Sequence, residues 1–578
     1  MAEEQQKKKR DSKPQEYYEQ IKKRFADERD LRLSYRPQGT GQFTSDLSGD
    51  LAKYAEDPFS QDAQARDPID DTVEVLFIGG GFSALLTSAR LRERGVESIR
   101  IVERGGDVGG TWYWNRYPGI ACDVIGYDYL PLLDEMDYVP VNHYSRGPEI
   151  LSHCQAIANK YNLYELAVFN TTVNSTVWNE EEQLWHVGTN RGDTMKAQFV
   201  ICANGTLSKP KLSKINGMEK FAGHSFHTSR WDYTYTGENL ENLDDKVVGI
   251  IGTGASAVQA VPEVAKTAKH LYVFQRTPSS IDIRDDWPTD PNWARRLKPG
   301  WQAKRRERVL ALSEPSPEDK AKMEAMPREE KIRRQENANI DYMMRIHKRI
   351  DDTVKDPGTA DSLKPWYMFM CKRPCFHNEY LPSFNQPNVT LIDTQGKGIT
   401  EIGEKGPMFE GDEYGLDVLI YATGFEVQKT GIYNEILGKD GVNLDEKYED
   451  GIRTLLGIHT QGYPNLFIMG GYQASFQFNL TDMLQTQGDH IAECIDYVRR
   501  NGHQSMDPTL EAEEWWVQEV IKHRGKTNRN AECTPGYYNF EGEFNRRQDG
   551  NYNGGFKTYF NHQSTVREKM SDNFVFSN

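Results

Sequence analysis

Two glycine-rich turns in this sequence have the residue types and spacing to hold phosphate groups. The apolar run from Thr72 to Ile78 ends in Gly79-Gly80-Gly81-Phe82-Ser83-Ala84, and the run from Lys246 to Ile251 ends in Gly252-Thr253-Gly254-Ala255-Ser256-Ala257. Glycines at such a turn let the backbone approach a pyrophosphate at the N-terminus of the following helix, and a small residue at Ala84 lets helix meet strand. Glu103 follows Gly79 by 24 positions, at the end of a second apolar strand, where a carboxylate reaches a ribose diol. Arg276 follows Gly252 by the same 24 positions. Glu103 would repel a 2′-phosphate and Arg276 would pair with one, so the first site is expected to hold FAD and the second NADPH.

The elements that must position these residues are strand–turn–helix–strand units, so the fold class is α/β with two Rossmann-like dinucleotide-binding domains. A charged, helix-patterned stretch from about 292 to 355 reads as an insertion in the NADPH domain. Two further apolar strands, Phe199 to Gly205 and Leu416 to Gly424, return the chain to a nucleotide-binding sheet. The expected organisation is an N-terminal extension (1–70), a first FAD part (71–208), the NADPH domain (209–389), a second FAD part (390–505) and a loop-rich C-terminal extension (506–578). One helix, Gln15 to Asp30, is expected in the N-terminal extension, and an amphipathic helix from Asp482 to Arg499 closes the FAD domain.

Composition narrows the partners. With 578 residues the chain exceeds one core, and a net charge of -16 argues against nucleic acid. No run approaches the roughly 18 apolar residues of a membrane-spanning helix. The charged N-terminus lacks an apolar signal core, and KKKR at Lys7 to Arg10 reads as a basic cluster in a tail. Seven scattered cysteines suit free thiols and a cytoplasmic location, and Cys371 and Cys375, the close pair, read as ordinary packing. No metal is expected. The oligomeric expectation is a monomer or small homo-oligomer.

Phe221, Gly223, His227 and Trp231 match FxGxxxHxxxW, and Gly109 to Asp123 matches GGxWxxxxYPGxxxD. With FQRTP (Phe274 to Pro278) and ATG (Ala422 to Gly424), the chain resembles the Baeyer–Villiger monooxygenases, class B flavoprotein monooxygenases of type I, over about residues 72 to 500. The N-terminal extension resembles the subgroup that takes bulky or polycyclic ketones. The resemblance implies that NADPH reduces FAD, O2 adds at flavin C4a, and the peroxyflavin converts a ketone to an ester or lactone. It implies Arg373 as the fixed positive charge on the peroxide and Asp123 as the carboxylate that positions it. It also implies FAD contacts from Gly110, Thr111, Trp112, Tyr113, Trp114, Asp123, Tyr129, Val173 and Met483. Phe82, Ser83, Thr253, Gly254, Ala255, Ser256 and Gln259 join the two turns as cofactor-binding positions, and Lys372, Arg373 and Thr277 join Arg276 around NADPH. His227 is expected to be a hydrogen-bonded strut between domains. A WYxGxN loop of many members is replaced here by Cys533-Thr534-Pro535-Gly536, so the C-terminal lid is expected to close differently.

The nearest alternative is an N- or S-oxygenating flavin-containing monooxygenase, which needs the same cofactors; Trp231 and the Asp123/Arg373 pair oppose it. A disulfide reductase would need a CxxxxC after the ribose acid, and between Glu103 and Ser152 stands only Cys122. A flavoprotein that has lost its chemistry would not need Arg373 and Asp123.

Overall fold

The computed structural model describes residues 13–35, 43–44, 47–60, 65–313, 316–426, 435–475, 479–524, 533–536, 538–539 and 548–578. The basic cluster Lys7 to Arg10 lies outside them. Two sheets carry the fold. In the first, Asp70–Ile78 lies between Ile99–Val102 and Thr194–Cys202, parallel to both, and Leu466–Ile468 also pairs with Thr194–Cys202. An antiparallel meander, Val173–Asn179 and Leu184–Thr189, extends it to Glu435–Leu437 at one edge. The second sheet has the order Val389–Asp393, His270–Gln275, Val247–Ile251, Val418–Tyr421, His224–His227, all parallel. Its central strands are apolar and β-branched because both faces are covered, as a parallel sheet requires; Val248, Ile250, Leu271, Val273 and Ile420 are wholly buried.

Three expectations need correction. The return to the first sheet expected near residue 390 occurs at Glu435–Leu437, because Val389–Asp393 and Val418–Tyr421 pair inside the second sheet. An apolar strand ending in glycine fits either sheet, and only its neighbours decide. The C-terminal segment is not loops alone: among its described residues, the helices Leu510–His523 and Phe556–Glu568 precede the strand Phe574–Ser577, which pairs antiparallel with Ser505–Pro508. Finally, the cysteines are not all free. Cys371 is bonded to Cys533, while Cys122, Cys154, Cys202, Cys375 and Cys494 are free and buried. The premise that linked thiols to compartment is weakened accordingly.

The helix Leu480–Asn501 lies against Phe82–Glu93, burying Met483, Ile491 and Ile495. The insertion forms the helices Trp301–Ser313, Pro317–Ala325 and Arg328–Thr353. The N-terminal helix, Gln15–Tyr35, buries Tyr18 and Phe25 in a cluster with Ile340, Met343, Tyr367 and Cys371. Among the described residues, no helix is long and apolar enough to cross a membrane.

The disulfide bridges 162 positions, so it removes much freedom from the unfolded chain. Peptide mapping of the unreduced protein should recover residues 371 and 533 in one linked fragment, and Cys533→Ser should lower the unfolding free energy by about 2–4 kcal/mol. Two unlinked peptides would contradict the bond.

Candidate active site

The first turn is shaped for close approach. Gly79 has φ +108°, and a Cβ there would meet the Ala203 carbonyl oxygen at 2.9 Å. The helix Phe82–Glu93 begins at Gly81 with no capping side chain, so its first N–H groups are available to a pyrophosphate. Glu103 is buried and accepts the Gly80 and Gly105 N–H groups, both at 2.6 Å. Burial pushes its carboxyl above the ordinary range, against the pull of those two bonds.

Gly110 crosses Gly81 closely and opens the short helix Thr111–Trp114. Trp112 donates its indole N–H to the Tyr129 hydroxyl at 2.9 Å, and Phe82 and Trp112 both meet Tyr129 edge-on. Tyr113 donates to Asp57 of the N-terminal extension at 2.6 Å. Val173 packs in one buried cluster with Ile78 and Val102. Met483 packs in the core that holds Phe82 and Trp112. Helix start, carboxylate and aromatic wall fit a dinucleotide such as FAD.

The second turn repeats the device. Gly252 has φ +113°, and a Cβ there would lie 2.5 Å from the Ala422 carbonyl oxygen. The helix Ala255–Thr267, which carries Ser256, starts uncapped at Gly254. Thr253 donates its hydroxyl to the Thr277 carbonyl at 2.8 Å, tying this turn to the half-buried Arg276 and Thr277. Gln259 donates to the Ala121 carbonyl at 2.9 Å and accepts from the Tyr117 hydroxyl at 3.1 Å. These bonds fasten the second unit to the segment leading to Asp123.

Asp123 and Arg373, 250 positions apart, do meet: Arg373 Nη2 lies 3.1 Å from Asp123 Oδ2. A second guanidinium, Arg284, binds the other oxygen, Oδ1. The two arginines differ in exposure: the Arg373 side chain is 41% exposed and that of Arg284 only 4%. A two-stranded parallel ladder, Ile281–Asp282 with Cys375–Phe376, sets both beside the carboxylate. Asn378 clamps the Arg284 main chain by accepting its N–H at 3.0 Å and donating to its carbonyl at 2.8 Å. Arg284 was not legible beforehand. The disulfide holds the Cys533 segment over this strand, where Lys372 donates to the Pro535 carbonyl at 3.4 Å.

The stretch His224 to Trp231 begins as the edge strand of the second sheet and ends in a short turn, Thr228–Arg230. His227 is fully buried; its Nδ1 caps the turn by accepting the Ser229 N–H at 3.1 Å. Burial, with the nearby Arg230 charge, holds its pKa down at about 3, so the imidazole is neutral at working pH. Arg230 lies 4.0 Å from the centre of the Trp114 ring and donates to the Ser208 carbonyl, joining the two units. Trp231 is wholly buried and donates to Thr236 at 3.1 Å.

The family model for pyridine nucleotide-disulphide oxidoreductases matches residues 76–314. A Baeyer–Villiger monooxygenase of Stachybotrys chlorohalonatus is 42% identical over 574 residues, covering 94% of this chain and 91% of its own. A polycyclic ketone monooxygenase from the thermophilic fungus Thermothelomyces thermophila superposes with a TM-score of 0.89 at 34% identity, over 97% of this chain and 99% of the other. The OTEMO complex with FAD and NADP superposes with a TM-score of 0.74 at 27% identity, over 89% and 100% of the two chains. At such identity over nearly the whole length, and with the motif residues in place around Asp123 and Arg373, the chain belongs to the Baeyer–Villiger monooxygenase family.

Proposed function

We propose that this protein carries out NADPH- and O2-dependent Baeyer–Villiger oxidation of a bulky or cyclic ketone to an ester or lactone. The observation that carries the reading is the Asp123 carboxylate shared between a buried arginine and a half-exposed one. FAD, when bound, supplies the store for two electrons from NADPH and the ring position at which O2 is activated.

The chain's own residues do the rest. Gly79, Gly81 and the start of the helix Phe82–Glu93 take the FAD pyrophosphate, and Glu103 takes its ribose. Arg276, Thr277 and Lys372 read the 2′-phosphate of NADPH by charge and hydrogen bonding. Arg373 keeps its charge at any working pH, so it can stabilise negative charge on oxygen without supplying a proton. Asp123 orients Arg373 through Oδ2, while Arg284 holds Oδ1 and fixes the carboxylate. Buried Trp231, and the neutral strut His227, transmit the relative placement of the two units rather than touching reacting atoms. The reading takes the enzyme as a monomer or small homo-oligomer of the cytoplasm, with most of the cysteines, though not Cys371 and Cys533, as free thiols.

Incubating the holoenzyme with NADPH, O2 and a panel of cyclic, linear and polycyclic ketones, with product masses read by mass spectrometry, tests the reading. Lactones or esters one oxygen heavier are expected; sulfoxides or N-oxides alone from a mixed panel would overturn it. Arg373→Ala should still be reduced by NADPH yet lose product formation by about 10²-fold or more. Arg284→Gln should leave the flavin reducible but let Asp123 reorient, so that the fraction of NADPH consumption recovered as ester falls and hydrogen peroxide rises. Arg276→Ala should raise the KM for NADPH about 10-fold or more, with little change for NADH, as loss of one charge-assisted contact implies.

A further inference from the structure

We infer that Arg32, on the N-terminal extension, is a positioning residue for coenzyme choice, holding the turn that reads the 2′-phosphate of NADPH. The inference rests on the assignment of Arg276 and Thr277 to that phosphate.

The helix Gln15–Tyr35 is fixed along its length before it reaches the turn. Tyr18 donates to Asp341 at 3.0 Å and Lys22 pairs with Glu336 at 2.6 Å, both on the long helix Arg328–Thr353 of the insertion. Phe25 meets Trp366 edge-on at 6.3 Å. The last turns of the helix therefore arrive at a defined place, and Arg32 is the side chain they deliver.

Its Nη1 donates to the carbonyl of Arg276 and, at 3.3 Å, to the hydroxyl of Thr277. Nη2 is held by Glu28 one turn earlier, at 2.6 Å. Both side chains of that pair are largely buried, 12% and 15% exposed, so the geometry is not that of a solvated surface bridge. The stem of Arg32 lies against Gly396, where a Cβ would stand 3.0 Å from Arg32 Cγ; at Gly398 a Cβ would stand 3.3 Å from Arg276 Cδ. One loop thus backs both arginines.

Glu28 balances the charge of Arg32, so what the extension brings to the turn is a fixed pair of hydrogen bonds rather than one more free cation. Those bonds set the main chain at Arg276 and orient the hydroxyl of Thr277, whose carbonyl is already fixed by Thr253. A 2′-phosphate meets that arrangement; a ribose with a free 2′-hydroxyl asks nothing of it. The extension then contributes to preference between coenzymes while staying outside the reacting centre.

The test measures KM for NADPH and for NADH by flavin reduction in full-length holoenzyme, for the unaltered protein, Arg32→Gln, Arg32→Lys and Arg276→Ala. Because the quantity read is a ratio within each protein, loss of active fraction does not move it. Arg32→Gln should raise the NADPH KM about 10-fold more than the NADH KM, the size of one charge-assisted contact, and Arg32→Lys should recover part of the preference. Equal changes for both coenzymes, or none, would overturn the role of Arg32. Should Arg32→Gln fail to accumulate with FAD, Arg32→Lys decides: a reduced preference supports the role, and an unaltered one removes it. If Arg276→Ala abolishes the preference while the Arg32 variants keep it, Arg32 alone is excluded; if Arg276→Ala also keeps it, the phosphate assignment itself fails.

Discussion

A carboxylate at the meeting point of two domains must be paired, because withdrawing its charge from water costs several kcal/mol unless a cation and hydrogen bonds replace the solvent. Asp123 meets this constraint twice over, with one guanidinium on each oxygen. The two partners are not equivalent. Arg284 is clamped by Asn378 and buried, so it satisfies the desolvated acid. Arg373, on the other oxygen, stays half-exposed, as its proposed role requires. On the proposed reading, the second arginine separates the task of neutralising the carboxylate from the task of acting on oxygen.

That division depends on elements far apart in the chain arriving together. The ladder of Ile281–Asp282 with Cys375–Phe376 brings both arginines to one side, and Gln259 ties the second nucleotide helix to Ala121, two residues before Asp123. The stretch from His224 to Trp231 works on the same joint from the opposite edge of the second sheet. Its buried histidine closes a tight turn, and that turn aims Arg230 at Trp114 on the FAD segment. The pKa of Arg230 is drawn down to about 9 by burial, with the charge of Arg104 adding to it. It stays protonated at neutral pH, and its stacking on an indole face is the compensation for lost water.

Local chemistry was readable in the sequence, and long-range pairing was not. The turns at Gly79 and Gly252, with Glu103 and Arg276 at equal spacing, are consequences of strand–turn–helix geometry within about thirty residues. The fingerprint and the Asp123–Arg373 link came through family resemblance, since nothing local joins positions 250 apart. Arg284 shows why such residues escape. In Ile281-Asp282-Ile283-Arg284-Asp285-Asp286 hydropathy alone would bury the isoleucines and expose the charges; Ile281 is buried, yet Ile283 is 57% exposed and Arg284 is buried. Pairing with Asp123 overrides the hydropathy of the segment. The Cys371–Cys533 bond escaped for the same reason of distance. The C-terminal helix is a different case: its buried positions Phe556, Tyr559, Gln563 and Val566 follow the helical period, but Asn- and Gly-rich composition around them hides it.

The two chain extensions acquire a common sense from where they end. The N-terminal helix packs on the insertion and delivers Arg32 to the turn at Arg276. From the other end of the chain, the segment at Cys533 is bonded beside Lys372. Both therefore reach the groups that would surround the 2′-phosphate, while Asp57 of the N-terminal extension also accepts from Tyr113 on the flavin side. A strand-end arginine in a bare Rossmann unit has only its own rotamers to restrain it, and an exposed long side chain gives up much entropy when it binds. Bracing the main chain on one side and closing a strap on the other lowers that cost before the coenzyme arrives. On the proposed reading, the Arg32 and Cys533 segments of the two extensions are parts of the second nucleotide site that the topology could not supply from within the domain.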